Sequence, residues 1–336
     1  MWLAARLPQH IEPTIGKPQH MPLAAFGWTE QRQQAFSAHA AAGLLPGRIV
    51  GEHRTHYQVT TGEAELAAES PGRLRNAAAL RSDLPGVGDF VALRPALGDG
   101  PATIEAVLPR TSALIRKASG KEAPQLLAAN CDVVFIVTGL DGDFNPARIE
   151  RFLALVRDSG AAPVIVANKT DLAADLAAIA AAIGKAAPGV PLHAISARAG
   201  IGLAGLEAHF AGNRTVALIG SSGAGKSTLI NKLLGRDAQA TGEVRGHDSR
   251  GRHTTTHRQL LLRPGGGAIV DTPGMRGLEL WNAAATEVAG FDDIDALAAA
   301  CKFRDCRHRT EPGCAVLAAV ARGNLDAGRL ADYLRR

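Results

Sequence analysis

The sequence predicts a multidomain protein with a small β-barrel, a parallel α/β sheet domain and a mainly helical C-terminal segment. Three observations favour this fold class. Short strand-like runs broken by Gly, Pro, Asp and Ser fill residues 45–114. Apolar runs then alternate with helical spacing from about residue 130. Finally, three of the four cysteines fall within residues 301–314.

A chain of 336 residues has room for two or three domains. We expect an N-terminal extension, a barrel, an α/β domain and a cysteine-containing domain, with bounds 1–42, 43–117, 118–286 and 287–336.

The composition is that of a globular protein with ample apolar residues for a core, at 46% hydrophobic and 21% charged. A membrane span needs about 18 consecutive apolar residues, and no apolar run in the sequence is that long. The N-terminus does not resemble a signal peptide. The cysteines do not form the pattern of a secreted disulfide framework. We therefore expect a cytoplasmic protein without a membrane partner, and we expect it to be a monomer.

The net charge is +5, and its excess is densest at the C-terminus. Residues 301–336 contain 8 Lys and Arg against 4 Asp and Glu. A basic end of this kind attracts polyanions, although a solvated basic surface would have the same composition.

Five short runs predict the strands of the barrel: "GRIVGEH", "HYQVTTG", "AELAAES", "GDFVALRP" and "ATIEAVLP". The leading candidate is an oligonucleotide-binding (OB) barrel, with a generic small barrel or sandwich as the alternative. Before it, "TEQRQQAFSAHAAAG" predicts a short helix that ends at Gly43.

From "DVVFIVTGL" onward the chain alternates buried strands with helices. This rhythm predicts a parallel sheet with helices on both faces. "RQLLLRP" and "GAIVDTPG" predict a further pair of strands.

A complete phosphate-loop motif, G-x-x-x-x-G-K-[ST], follows the strand "TVALI" and opens the helix "STLINKLL". Its glycines let backbone N–H groups surround phosphates, to which the helix N-terminus adds a favourable dipole. Lys226 is expected to act on the β- and γ-phosphates, and the Ser227 hydroxyl to ligate Mg²⁺. The expected nucleotide-binding residues here are Gly220, Ser221, Ser222, Gly223, Ala224, Gly225, Lys226, Ser227 and Thr228.

A guanine-reading motif, N-K-x-D, stands at the end of another apolar strand as Asn168, Lys169, Thr170 and Asp171. A carboxylate at Asp171 can accept two hydrogen bonds from guanine, a donor pair that adenine lacks. This residue disfavours a P-loop ATPase or kinase, and we expect Asp171→Asn to shift preference toward xanthine nucleotides. Downstream, Ser196 and Ala197 end a third strand, where a backbone N–H can meet the guanine O6.

Two further segments fit the switch regions of a GTPase. In "AIVDTPG", Asp271 is expected to hold the Mg²⁺ shell and the Gly274 N–H to sense the γ-phosphate. In "GRHTTTHRQL" any of the three threonines can complete the metal shell, and we favour Thr255 and Thr256 over Thr254.

The residue after D-x-x-G is Met275, where many GTPases place a Gln that orients the attacking water. The catalytic helper must then come from elsewhere, and His253 is the first candidate, with a solvent-facing loop histidine as the alternative.

Near the C-terminus, the spacing C-x4-C-x-H-x5-C supplies three thiolates and one imidazole. Such a closed set of four predicts a structural zinc site. The expected ligands are Cys301, Cys306, His308 and Cys314. The remaining Cys131 lies in an apolar run and is interpreted as a core thiol.

The order N-K-x-D, then phosphate loop, then D-x-x-G is that of a circularly permuted GTPase. With a barrel before it and a Cys3His segment after it, the chain over residues 43–336 resembles the ribosome-small-subunit-dependent GTPase A (RsgA, YjeQ) family. "LPRTSALIRK" is similar to that family's junction between barrel and GTPase domain, whereas residues 1–42 lie outside the resemblance.

The resemblance implies a late assembly factor that binds the small ribosomal subunit and its rRNA through barrel and zinc domain. It also implies that the subunit stimulates hydrolysis and that a hydrophobic residue replaces the catalytic Gln, as Met275 does. The alternative is an RNA-binding module whose nucleotide site is mainly structural. The permutation also places the zinc domain directly after the second switch, so we expect the bound nucleotide to affect how that domain is held.

Overall fold

The computed structural model describes most of the chain in two compact units, Met1–Arg276 and Gly277–Arg336. The residues that it describes are 22–53, 56–96, 98, 100–116, 124–141, 144–235, 258–271, 292–303, 306–325, 330 and 333–334.

The first unit contains a closed five-stranded barrel, and each of the five predicted strands is confirmed. The strands are β1 (Leu45–Glu52), β2 (Tyr57–Thr60), β3 (Glu65–Glu69), β4 (Phe90–Arg94) and β5 (Ala102–Val107). They pair in the order β1-β2-β3-β5-β4, and β4 pairs with β1 again, which closes the ring. This is a barrel of the OB type. Helix α2 (Gly72–Ala77), which the strand patterning did not predict, connects β3 to β4.

The N-terminal segment packs on the barrel. Helix α1 (Glu30–Ala41) begins after Thr29, whose side chain accepts a hydrogen bond from the Arg32 N–H at 3.4 Å. Gly43 follows it at φ +73°, so the predicted helix and its end are confirmed. Phe36 is buried in a small core with Phe90 of the barrel.

An antiparallel hairpin, which the sequence did not predict, follows the barrel. It consists of β6 (Ala113–Arg116) and β7 (Gln125–Ala129). The expected domain boundary at 117/118 lies between these two paired strands.

The α/β part of the first unit confirms the predicted alternation. Its sheet has the order β10-β9-β8-β11-β13-β12, parallel except for the antiparallel β12. The strands are β8 (Val133–Gly139), β9 (Ala162–Asn168), β10 (Leu192–Ala194), β11 (Thr215–Gly220), β12 (Gln259–Leu262) and β13 (Ala268–Asp271). The helices are α3 (Pro146–Ser159), α4 (Leu176–Ala186) and α5 (Lys226–Leu234).

One predicted helix differs in type. Residues Leu203–Phe210 form a 3-10 helix. Glycine lowers the stability of an α-helix, and this segment begins directly after Gly202, at φ +76°, and contains Gly205. The segment nevertheless buries Leu206 and Phe210 against the sheet.

Barrel and α/β sheet are continuous, because β12 pairs with β1 and so creates one sheet of 11 strands. The buried side chain of Arg48, on β1, also crosses this joint. Its guanidinium donates to the carbonyls of Phe26, Gly88 (3.1 Å) and Asn130 (3.1 Å) and to the Thr215 hydroxyl.

In the described part of the second unit the regular secondary structure is helical, with α6 (Asp292–Ala298) and α7 (Ala315–Ala321). Its small core contains Ile294, Cys314, Val316, Ala319, Leu325 and Leu330. Among the residues described in both units, no helix has the length and apolar character needed to cross a bilayer.

Candidate nucleotide and metal sites

The phosphate loop connects β11 to α5, and two of its positions require glycine. Gly220 has φ +148°, and a Cβ there would lie 2.0 Å from the Val137 carbonyl oxygen. Gly225 has φ +90°, and a Cβ there would lie 2.2 Å from Nδ2 of Asn168. Only glycine allows the loop to pass this close to its neighbours.

The charged end of the loop is built by Lys226, the first residue of α5. Its Nζ donates to the carbonyls of Gly220 at 2.8 Å and Ser221 at 2.6 Å. Ser227 and Thr228 follow in the first turn and are half-buried. The ammonium group and the positive end of the helix dipole therefore act on the same place, as phosphate binding requires.

Asn168 connects three predicted elements of the nucleotide site. Its side chain is 2% exposed. Nδ2 donates to the Ala224 carbonyl of the phosphate loop at 2.9 Å, and Oδ1 accepts from the Ala197 N–H at 2.9 Å. The N-K-x-D segment, the phosphate loop and the Ser196–Ala197 segment are therefore held together by one amide side chain.

Lys169 has the left-handed φ of +67°, which is uncommon outside glycine. Its Nζ forms an ion pair with Asp141, two residues after β8. Asp141 belongs to none of the predicted motifs. The signal was nevertheless available, because a carboxylate after a buried parallel strand lies at the edge where ligands bind.

Asp171 is exposed beside Ser196, which is fully buried. A hydrogen bond from the Ser196 side chain lowers the pKa of the Asp171 carboxyl. The carboxylate is therefore ionised at neutral pH, the form that accepts both hydrogen bonds from guanine.

Asp271 ends β13 and is half-buried. The other predicted switch residues, His253, Thr254, Thr255, Thr256, Gly274 and Met275, lie outside the described residues.

The four predicted zinc ligands come together in the second unit. The ligand atoms of Cys301, Cys306, His308 and Cys314 all lie within 4.8 Å of one another. The Cys301 and Cys314 sulfurs are 3.8 Å apart, and the His308 Nδ1 is 3.6 Å and 3.4 Å from them. A tetrahedral zinc with bonds of about 2.3 Å to sulfur places two sulfurs roughly 3.8 Å apart, so these residues fit the ion.

Backbone N–H groups around the cluster donate hydrogen bonds to two of its sulfurs. Cys301 Sγ accepts from the Ala315 N–H at 3.3 Å, and Cys314 Sγ accepts from the Leu317 N–H at 3.4 Å. Such hydrogen bonds stabilise thiolates in metal sites. His308 has φ +54°, a conformation that a loop fixed by a metal can hold.

A phosphate loop and a guanine-reading segment at the carboxyl ends of one parallel sheet define a P-loop GTPase. Because the guanine-reading segment comes first along the chain, the GTPase is circularly permuted. A crystal structure of YjeQ from Thermotoga maritima is similar, with a TM-score of 0.52 and 25% identity, covering 87% of this chain and 96% of that one.

The sequence comparisons identify the family. The RsgA GTPase family model matches residues 107–281. A small ribosomal subunit biogenesis GTPase RsgA of Opitutus terrae is 47% identical over 323 residues, covering 93% of this chain and 88% of the relative. Another relative, small ribosomal subunit biogenesis GTPase RsgA 2 of Lactiplantibacillus plantarum, is 46% identical, covering 87% and 82%. The chain belongs to the RsgA GTPase family, and its nucleotides are GTP and GDP.

Proposed function

We propose that this chain is a Mg²⁺-dependent GTPase that binds the small ribosomal subunit and its rRNA and acts late in assembly of that subunit. Its relatives are named for small-subunit biogenesis. An OB barrel and a basic C-terminal segment suit an RNA partner. In this proposal the protein acts as a monomer in the cytoplasm, where ribosomal subunits are assembled.

The arrangement around Asn168 is the observation that carries the nucleotide assignment. Asn168 and Ala224 are 56 residues apart in the chain, yet the buried Asn168 amide joins the guanine-reading segment to the phosphate loop. We assign phosphate binding to residues 220–228, with Lys226 as the cation that stabilises charge on the transferred group. We assign base recognition to residues 168–171 with Ser196 and Ala197.

The switch residues complete the proposed mechanism. Ser227, Asp271 and either Thr255 or Thr256 would hold Mg²⁺, which supplies charge neutralisation to the phosphates. The Gly274 N–H would contact the γ-phosphate and His253 would orient the attacking water. Met275 cannot orient the attacking water as the Gln of many GTPases does. We therefore expect slow turnover until the subunit completes the site.

Zinc in the Cys3His cluster has a structural role in this proposal, because all four ligand positions belong to the protein. It would hold Lys302, Arg307 and Arg309 on an ordered loop where they can contact RNA phosphates. We retain 1–42, 43–117, 118–286 and 287–336 as the proposed functional divisions of the chain.

GTP turnover with and without purified small subunits tests the proposal. We expect stimulation of at least roughly ten-fold, since activators that complete a GTPase site act by up to about 10⁵-fold. Lys226→Ala should abolish turnover in both conditions while leaving subunit binding intact. Tight binding to the subunit without stimulation would instead favour an RNA-binding module with a mainly structural nucleotide site.

A further inference from the structure

The joint between barrel and GTPase sheet lies next to the proposed Mg²⁺ site. Gly51 of β1 pairs with Gln259 of β12, and Gln259 pairs with Asp271 of β13. Neighbouring strands lie about 4.8 Å apart, so the barrel strand is only two strands, roughly 10 Å, from Asp271. Gly51, Gln259 and Asp271 therefore form one row across the two parts of the sheet.

An ion pair reinforces this row on the barrel side. Arg258 Nη1 donates to Glu52 Oε2 at 3.1 Å, with the side chains 18% and 34% exposed. The Glu52 N–H also donates to the Arg258 carbonyl, at 3.4 Å. Partial burial makes such a pair stronger than an exposed one, because water screens it less.

Strand β12 meets the barrel through a short stretch of its described residues. It is 4 residues long and pairs along its whole length, antiparallel, with β13, whereas among the described residues its one registered partner in β1 is Gly51. In β1 the pairing with β2 shifts between Ile49 and Gly51, which is a bulge-like irregularity at the same place. Irregularities of this kind redirect a strand locally.

We propose that Glu52 and Arg258 are positioning residues that fix β12 against the barrel and thereby set the position of Asp271 for Mg²⁺. They do not contact the nucleotide or the metal. Their effect reaches the site through the Gln259–Asp271 pair. This inference rests on the proposed role of Asp271.

Steady-state kinetics and amide hydrogen exchange of the whole chain test this proposal. Glu52→Gln and Arg258→Gln should each raise the Mg²⁺ concentration for half-maximal GTP turnover by roughly 3- to 10-fold, below the about 10- to 100-fold of residues that hydrogen-bond a metal ligand directly. The KM for GTP at saturating Mg²⁺ should change less than about two-fold, because the guanine and phosphate contacts are untouched. Amide hydrogen exchange in 259–262 and 268–271 should accelerate in the same variants without added metal.

Three further variants test whether the ion pair itself, and not a general disturbance of the barrel, sets the Mg²⁺ requirement. The charge-exchanged double variant Glu52→Arg/Arg258→Glu should restore the Mg²⁺ requirement toward that of the parent. Arg94→Gln, which removes the ion pair with Glu105 elsewhere in the barrel, should leave it unchanged. If Glu52→Gln fails to fold, Glu52→Asp shortens the side chain by one methylene and serves instead.

The Asp271→Asn variant distinguishes a failure of the positioning role from a failure of the proposed Mg²⁺ role of Asp271. An altered Mg²⁺ requirement in Asp271→Asn but not in the Glu52 and Arg258 variants would overturn the positioning role. An unaltered requirement in Asp271→Asn would overturn the assignment of Asp271 itself, and this inference with it.

Discussion

Arg48 Nη1 donates to Thr215 Oγ1 at 2.8 Å, and both side chains are buried. Arg48 belongs to the barrel, whereas Thr215 is the first residue of the strand that carries the phosphate loop. The hydrogen bond therefore joins the proposed RNA-binding part to the nucleotide-binding part. Burial lowers the pKa of Arg48 to about 10, which leaves it charged at neutral pH.

We expect Arg48→Met to lower the free energy of unfolding of the first unit by about 3 kcal/mol or more. The substitution keeps an apolar stem but removes the donor of four hydrogen bonds, so buried acceptors lose their partner. Urea denaturation followed by circular dichroism measures the effect. Arg94→Met, at a side chain that is 60% exposed, is the matched control. A loss as small as that of the control would show that the joint does not depend on Arg48.

Gly225→Ala should weaken GTP and GDP binding by more than about 100-fold, because the new Cβ would clash with Asn168 and the φ of +90° would be strained. The clash would displace the amide that joins the three nucleotide-binding segments. Fluorescent-nucleotide titration measures the change.

Gly235→Ala is the control for Gly225→Ala. Gly235 has φ +63°, but a Cβ there meets no atom within 4 Å. It therefore tests backbone strain without the clash, and its nucleotide affinity should stay near that of the parent. Equal losses in both variants would mean that strain alone, not the contact with Asn168, determines affinity.

Much of the fold could be predicted because each element has a local cause. Gly43 ends α1, and continuous apolar runs such as β8 mark buried parallel strands. The pairing of β12 with β1 could not, since strand partners distant in sequence leave no local pattern. The β6–β7 hairpin was missed because eight residues separate its strands, instead of the short turn that marks a hairpin in a sequence.

The candidate nucleotide site was also predicted only in part. Motif spacing predicted Asn168 and Lys226, because a fixed loop shape demands fixed residue types. The partners Asp141 and Arg48 were missed, because an ion pair or a buried hydrogen bond between distant segments depends on tertiary packing.

As the pH is lowered, Ser196→Ala should lose affinity for GTP at a higher pH than the parent protein does. The Ser196 hydrogen bond lowers the pKa of Asp171, so the carboxylate stays ionised as the pH falls. Without it the pKa rises toward its usual value, and the ionised form that reads guanine is lost at a higher pH. At pH 7.5 the two proteins should bind GTP almost equally.

The measurement is GTP affinity as a function of pH in both proteins. The terminal phosphate of the nucleotide titrates near pH about 6, but this contribution is common to both. The difference between the two curves isolates Asp171. If the two affinity curves coincide at acid pH, the Ser196 hydrogen bond does not lower the pKa of Asp171.

Removal of zinc should unfold the second unit while the first unit keeps its structure. The core around the cluster is small, and Cys314 is itself part of it, so the metal must supply a large share of the folding free energy. We expect one zinc per chain by mass spectrometry, and its loss in Cys306→Ala. Cys131→Ala should retain it, because Cys131 is a buried thiol whose pKa burial raises to about 12. After chelation, amide exchange should accelerate in residues 292–325 but not in β8 or β11. A zinc-free chain with unchanged exchange there would contradict a structural role for the cluster.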